Sequence, residues 1–165
     1  MLNKNLSTQE MLHLLAQNSG VENGNSKESL IKSLIRKYFP PEEWENAWTV
    51  LMGENAPLDS SAISKTGDYG LFQINKLSKE KIIKKKYGYT MDDMLDPEKN
   101  IQVAADLFLG RIPLTRRGWI NWNGASSDLK QRQEPDYSQF IPGGQTSPTP
   151  SPIPQTPPQS SAKSG

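Results

Sequence analysis

The chain contains no cysteine and one histidine, His13. The first absence excludes disulfides, thiolate metal sites and a cysteine nucleophile. The second leaves a Ser-His-Asp triad resting on a single residue, so chemistry is sought among the carboxylates. Charge of one sign is lacking as well. Lys plus Arg number 19 and Asp plus Glu 18, a formal net charge of +1, which argues against a nucleic-acid binder with its usual basic excess. No apolar run approaches the roughly 18 residues that a membrane span requires. Hydrophobic residues make up 34% of the 165, low for a compact domain. That deficit is local. Beyond residue 138 the only large apolar side chains are Phe140, Ile141 and Ile153, and seven of the 13 prolines lie between Pro142 and Pro158. Residues 139–165 are therefore expected to form a disordered Pro/Ser/Thr-rich tether, unable to offset its ordering entropy by burial. The first twenty residues lack the pattern of a secretion signal.

What is present reads mainly as helix. Ser7 and Glu10 fit a capping box ahead of Met11, Leu12, Leu14 and Leu15, a helical extension assigned to residues 1–25. Leu30, Ile31, Leu34, Ile35 and Tyr38 mark one apolar face from about Lys27 to Tyr38. Pro40-Pro41 breaks it. Trp44, Ala47, Trp48, Leu51 and Met52 repeat the helical spacing, Gly53 weakens it, and Pro57 ends it. From Ser60 the pattern changes to a polar turn, and the segment from Tyr69 to Asn75 reads as a strand in a small hairpin. Helices resume near Lys79 to Tyr87 and again after Asp96-Pro97, a cap followed by a first-turn proline. In that later helix Ile101, Ala104, Ala105, Leu107 and Phe108 supply the buried face. A short element from Gly118 to Trp122 closes the fold. The domain is assigned to residues 26–138.

Two carboxylates stand out. Glu54 ends a helix whose face is Trp44, Trp48, Leu51 and Met52. Apolar surroundings and the negative end of a helix dipole both disfavour a charged carboxyl, which suits a proton donor. Asp68 follows 14 residues later at a turn edge. Either residue alone is read more readily as surface charge or as a turn aspartate bonding its own backbone. Together, one carboxyl in an apolar setting and one in a polar hairpin match the division into acid and base roles that glycoside hydrolysis uses. Trp119 and Trp122, three apart, place at least one ring in the core. Lys84-Lys85-Lys86 reads as a solvated helix face. Asp92, Asp93, Asp96 and Glu98 lack calcium-loop spacing and read as capping and surface charge. No metal or cofactor is expected.

Four segments carry a resemblance, and they occur in one family's order. Trp48 to Ser64 is similar to the helix and loop bearing the catalytic glutamate of the lysozyme superfamily. Gly67-Asp68-Tyr69-Gly70-Leu71-Phe72-Gln73-Ile74-Asn75 resembles that superfamily's hairpin, closest to the c-type lysozyme version. Asp96 to Ala105 is similar to the following helix of lysozymes and soluble lytic transglycosylases. Gly118 to Trp122 resembles their closing Trp-x-x-Trp segment.

The resemblance implies an α+β, predominantly α, lysozyme-like fold with a small antiparallel hairpin beside a cleft. It implies Glu54 as general acid and Asp68 as the carboxylate that stabilises or attacks an oxocarbenium ion. Tyr69, Gln73, Asn75 and Trp119 become substrate-binding residues, with Trp119 as an aromatic wall near the acid. The implied substrate is the peptidoglycan glycan strand, cut at the β-1,4 bond between N-acetylmuramic acid and N-acetylglucosamine. A lytic transglycosylase giving anhydromuramyl products, or a wall-binding or virion structural module without activity, are the alternatives. The missing cysteines of animal c-type enzymes point to a bacterial or phage version. The expected setting is the cell wall, outside the cell or on a virion, and the expected state a monomer tethered through its C-terminal segment. Two departures stand against the pattern. Asn55 occupies the position after the acid where serine is usual, and the loop between Glu54 and Asp68 is shorter than in c-type enzymes.

Overall fold

The structure is a computed structural model that describes residues 23 to 143. The expected helix around Ser7 to Leu15 and the segment from residue 144 onward lie outside the described residues. Helix α1 spans Asn23–Tyr38, starting four residues before the position read from its apolar spacing. Ile31, Leu34 and Ile35 turn inward, followed by the fully buried Phe39. A 3-10 turn at Pro41–Glu43 leads into α2, Trp44–Glu54, which buries Ala47, Val50 and Leu51.

Strands β1, Asp68–Tyr69, and β2, Ile74–Asn75, form an antiparallel pair in which Asp68 faces Asn75 and Tyr69 faces Ile74. Helix α3, Lys76–Tyr87, follows β2 without a gap. Asn75 is both the last strand residue and the cap, its side chain accepting the Ser78 N–H at 3.1 Å. The helix therefore begins three residues before Lys79. Lys84, Lys85 and Lys86 are exposed on it, as a solvated face requires, and Lys86 pairs with Asp106 at 3.3 Å.

Helix α4, Pro97–Phe108, is the central element. Asp96 caps it by accepting the Lys99 N–H at 2.9 Å. It buries Ile101, Val103, Ala104, Ala105, Leu107 and Phe108, and packs against α1. Ahead of it, the acids read as surface charge at Asp92 and Asp93 belong to a 3-10 turn, Asp92–Leu95. A last 3-10 turn, Trp119–Asn121, and a short helix α5, Ser127–Gln131, close the described chain. Helix α5 carries no buried residue, so it left no apolar period to read. No helix among the described residues is long and apolar enough to cross a membrane. Phe140 and Gly143, placed in the tail by composition, bond to the body. The Phe140 carbonyl accepts from Arg111, and the Gly143 N–H donates to the Lys37 carbonyl at 2.9 Å.

One buried polar cluster ties the ends of the domain together. Glu43 is only 1% exposed. Its carboxylate accepts from Trp119 Nε1 at 3.0 Å, Tyr137 Oη at 2.7 Å, Asn46 Nδ2 at 3.0 Å and the Arg132 guanidinium. Burial pushes its pKa up, but these donors together outweigh that and hold it below the ordinary value of 4.5. A carboxyl depressed in the folded state binds protons more readily once unfolded. Its contribution to stability is therefore complete above that ordinary value and is lost as the pH falls through the lower folded value. The melting temperature should accordingly drop steeply between pH 5 and pH 3. A scan that stays flat over that interval would show that Glu43 does not hold the fold in this way.

Candidate active site

A cavity of about 330 Å³ opens between the end of α2, the hairpin, the start of α3 and the segment after Trp119. Its lining includes Glu54, Asp68, Gln73, Asn75, Lys79 and Trp122. Of the residues expected at the site, Glu54, Asp68, Gln73 and Asn75 are brought together here. Tyr69 and Trp119 are not among the lining residues.

Glu54 is half-buried at the last turn of α2. Its Oε1 accepts the Gly124 N–H at 2.7 Å. Oε2 has no hydrogen-bond partner among the described residues, so one oxygen is anchored and the other is available to a substrate. The anchor depends on close backbone contact. A Cβ on Gly53 would meet the Gly124 Cα at 2.9 Å, and one on Gly124 would meet the Val50 carbonyl at 2.9 Å. Gly53 weakens the helix by propensity, but it lets the 122–125 segment lie directly on α2 and reach the carboxyl. Asn55 is buried. Its Nδ2 donates to the carbonyls of Asp59 at 2.7 Å and Gly70 at 3.3 Å, and its Oδ1 accepts the Asp59 N–H. The amide at this unusual position thus holds the short loop closed and ties the acid's helix to the hairpin.

Asp68 is fixed at both oxygens. Oδ2 accepts from Ser64 Oγ at 2.6 Å and from Thr66 Oγ1, while Oδ1 accepts from Asn75 Nδ2 at 2.8 Å. Burial raises its pKa, but the three donors more than reverse this and hold it below its ordinary value of 3.8. It is an ionised, immobile charge at neutral pH. Its cross-strand partner Asn75 serves two elements at once, donating to Asp68 and capping α3. Gln73 lines the cavity with φ at +47°, a left-handed conformation that costs a non-glycine residue free energy and is found at functional sites. Its Nε2 donates to the Gly70 carbonyl at 2.7 Å.

The hairpin is seated by Asn100 of α4. Asn100 Oδ1 accepts the Phe72 N–H at 2.8 Å, and Nδ2 donates to the carbonyls of Tyr69 and Met94. Gly70, with φ at +71°, passes so close that a Cβ there would sit 2.1 Å from the Met94 oxygen and 2.5 Å from Asn100 Nδ2. Gly70→Ala should therefore cost at least about 3 kcal/mol, combining left-handed strain with a backbone collision, and lower the melting temperature by roughly 10 °C. Gly88 also has a positive φ, but a Cβ there meets nothing within 4 Å. Gly88→Ala is the control, and equal melting temperatures for the two variants would remove the collision from the account.

Trp119, expected on the cleft wall, is instead fully buried. It stacks on Phe39 at 5.6 Å between centroids, meets Phe108 at 4.5 Å, and spends its N–H on Glu43. A ring with no exposed surface does not touch a sugar. Trp122 is the aromatic residue at the cavity, its ring held by Nε1 donating to the Phe72 carbonyl at 3.0 Å. Tyr69 is half-buried against the core, and its backbone bridges Ile63. Lys79, Ser78 and Asn123, which carried no motif in the sequence, also line the cavity, as does Asn121 from within the closing Trp-x-x-Trp segment. Among the described residues no three His, Asp or Glu side chains converge to hold a metal ion.

Residues 42–125 match the model of one protein family, described as the transglycosylase SLT domain. This span contains α2, the hairpin, α3, α4 and every residue lining the cavity. No curated protein and no solved structure matches the chain.

Proposed function

The chain belongs to the transglycosylase SLT domain family, enzymes of lysozyme-like fold that act on peptidoglycan, and from that premise we propose that it is a muramidase. It hydrolyses the β-1,4 bond between N-acetylmuramic acid and N-acetylglucosamine. The observation that carries this reading is the placement of two differently held carboxyls, Glu54 and Asp68, on the wall of one cavity.

The division of labour follows from their surroundings. Glu54, anchored through Oε1 by Gly124, donates a proton from Oε2 to the glycosidic oxygen as the bond to the anomeric carbon breaks. The positive charge that develops on the sugar ring is met by Asp68. Three hydrogen bonds spread the charge of that carboxylate, which favours its action as a fixed electrostatic partner over covalent attack. Water then adds to the anomeric carbon, and the Glu54 carboxylate takes back a proton, restoring the starting state. Leu107 and Ile74 supply apolar lining to the cavity. The amides of Gln73, Asn121 and Asn123 suit the hydroxyl and acetamido groups of the sugars. The same reading sets the working protein at the cell wall, outside the cell or on a virion, as a monomer with the proline-rich segment as tether.

The family's description favours a second reading, lytic transglycosylation. There the muramyl C6 hydroxyl replaces water, Glu54 accepts its proton, and an anhydro ring closes. Release of reducing ends from purified cell walls separates the two. Hydrolysis creates one new reducing end per bond cut, whereas the anhydro product has none. Clearing of a wall suspension without reducing ends would move the assignment to transglycosylation, and no clearing at all would overturn both.

A further inference from the structure

The cavity has three charged lining residues, and the two-carboxylate chemistry uses only two. The third is Lys79. No carboxylate lies within ion-pair distance of its ammonium among the described residues. Asp68 is engaged by Ser64, Thr66 and Asn75, and Glu54 by Gly124. Lys86 on the same helix shows the contrast, since it pairs with Asp106. Lys79 is half-buried, and burial alone pushes its pKa down. An ammonium partly withdrawn from water with no carboxylate in ion-pair contact carries a cost that an arriving anion lowers. Helix stability does not explain the residue either. It stands near the start of α3, whose first turn has no acidic side chain, and the helix dipole disfavours a cation at that end.

The other polar groups of the wall, such as Gln73, Asn121 and Asn123, are neutral. They match what all N-acetylated sugars share and do not distinguish one from another. What a muramyl residue has and N-acetylglucosamine lacks is the lactyl substituent. That substituent carries a carboxylate when unsubstituted, and a peptide with carboxylates of its own when substituted. We propose that Lys79 binds a carboxylate borne on the lactyl substituent of the glycan and so selects acidic over neutral amino-sugar polymers. The inference rests on the reading of the cavity as a glycan site. It deepens that reading by assigning its charge selectivity to one side chain.

Binding is measured calorimetrically with the full chain carrying Glu54→Gln, which keeps the glycan intact. Three ligands of equal sugar length are compared: peptide-free muramyl oligosaccharide, its peptide-bearing form, and a chitooligosaccharide. With Lys79 present, at least one acidic ligand should bind about tenfold or more tightly than the neutral one, as a charge-assisted hydrogen bond allows. Lys79→Met, which keeps the apolar stem, should abolish that preference and leave chitooligosaccharide affinity within about twofold. Lys79→Arg should restore most of it. Preference for the peptide-free ligand identifies the lactyl carboxylate, and preference confined to the peptide-bearing ligand identifies the peptide.

Equal affinity for acidic and neutral ligands, equal weakening of both by Lys79→Met, or binding of neither overturns the proposal. Cleavage by the chain with Glu54 intact is assayed beside it. An acidic glycan that binds through Lys79 and is not cut would sink the enzyme reading and leave this one standing. Cleavage that is indifferent to Lys79→Met on acidic and neutral glycans alike would do the reverse.

Discussion

Glu54→Gln should reduce cell-wall cleavage by at least about 10²-fold and by up to about 10⁴-fold, the range that a positioned general acid supplies, while the protein stays folded. The substitution is narrow. Glutamine keeps the size and polarity of the side chain, and its carbonyl oxygen still accepts the Gly124 N–H that anchors Glu54 Oε1. The packing of Gly53 on Gly124 involves no side chain and is unaffected. What the substitution removes, under the proposed role of Glu54, is the proton for the leaving oxygen. Turbidity loss of a wall suspension reads the activity, and a thermal melt confirms that the domain is intact. Activity within tenfold of the unsubstituted protein, with an unchanged melt, would remove Glu54 from the chemistry.

Asp68→Asn should cost about 10²-fold or more if the enzyme is a hydrolase, since a preorganised charge facing the developing cation is removed. A structural cost accompanies the electrostatic one. Ser64 and Thr66 hydroxyls can rotate to meet an amide, but Asn75 Nδ2 only donates and must keep facing an oxygen. The amide therefore has one satisfactory orientation, and a modest fall in melting temperature is expected. The loss of rate should greatly exceed what that fall explains. In a transglycosylase the substrate's own acetamido group can assist the reaction, so the same variant would retain most of its rate. A full-rate Asp68→Asn enzyme would show that the carboxylate only braces the hairpin.

Much of this architecture is written locally, and the exceptions share a cause. Helix α4 is legible because its cap, its first-turn proline and its apolar period coincide within 12 residues. The hairpin is legible in its place but not in its parts: Tyr69 to Asn75 reads as one strand, whereas the chain turns within it and pairs Asp68–Tyr69 with Ile74–Asn75. Glu54, Asp68, Gln73 and Asn75 were expected at one site and line one cavity.

The two tryptophans were harder. Trp122 follows the 3-10 turn directly, its N–H closing on the Trp119 carbonyl at 3.2 Å, and both rings turn inward. Which one reaches the cavity is decided by Phe39 and Phe108, which claim Trp119 from distant segments. Glu43 stands between Glu42 and Glu45 with no local mark to set it apart. It is buried because Arg132 and Tyr137, about ninety positions away, close over it. Lys79 sits in a lysine-rich helix and has no local mark at all; only the placement of α3 directly after β2 carries it to the cavity. Asn55 stands where the resemblance implies serine, and its role in stapling the loop to Gly70 depends on a partner 15 residues on.

Digestion of purified cell walls in heavy-oxygen water, followed by mass spectrometry of the released fragments, tests the central claim most directly. If Glu54 and Asp68 work together as a hydrolytic pair, each bond cut should place one heavy oxygen at the anomeric carbon of a new reducing muramyl end, and anhydro products should be absent. Fragments that carry no heavy oxygen and end in an anhydromuramyl ring would contradict hydrolysis, and would show that Glu54 acts with a hydroxyl of the substrate in place of water.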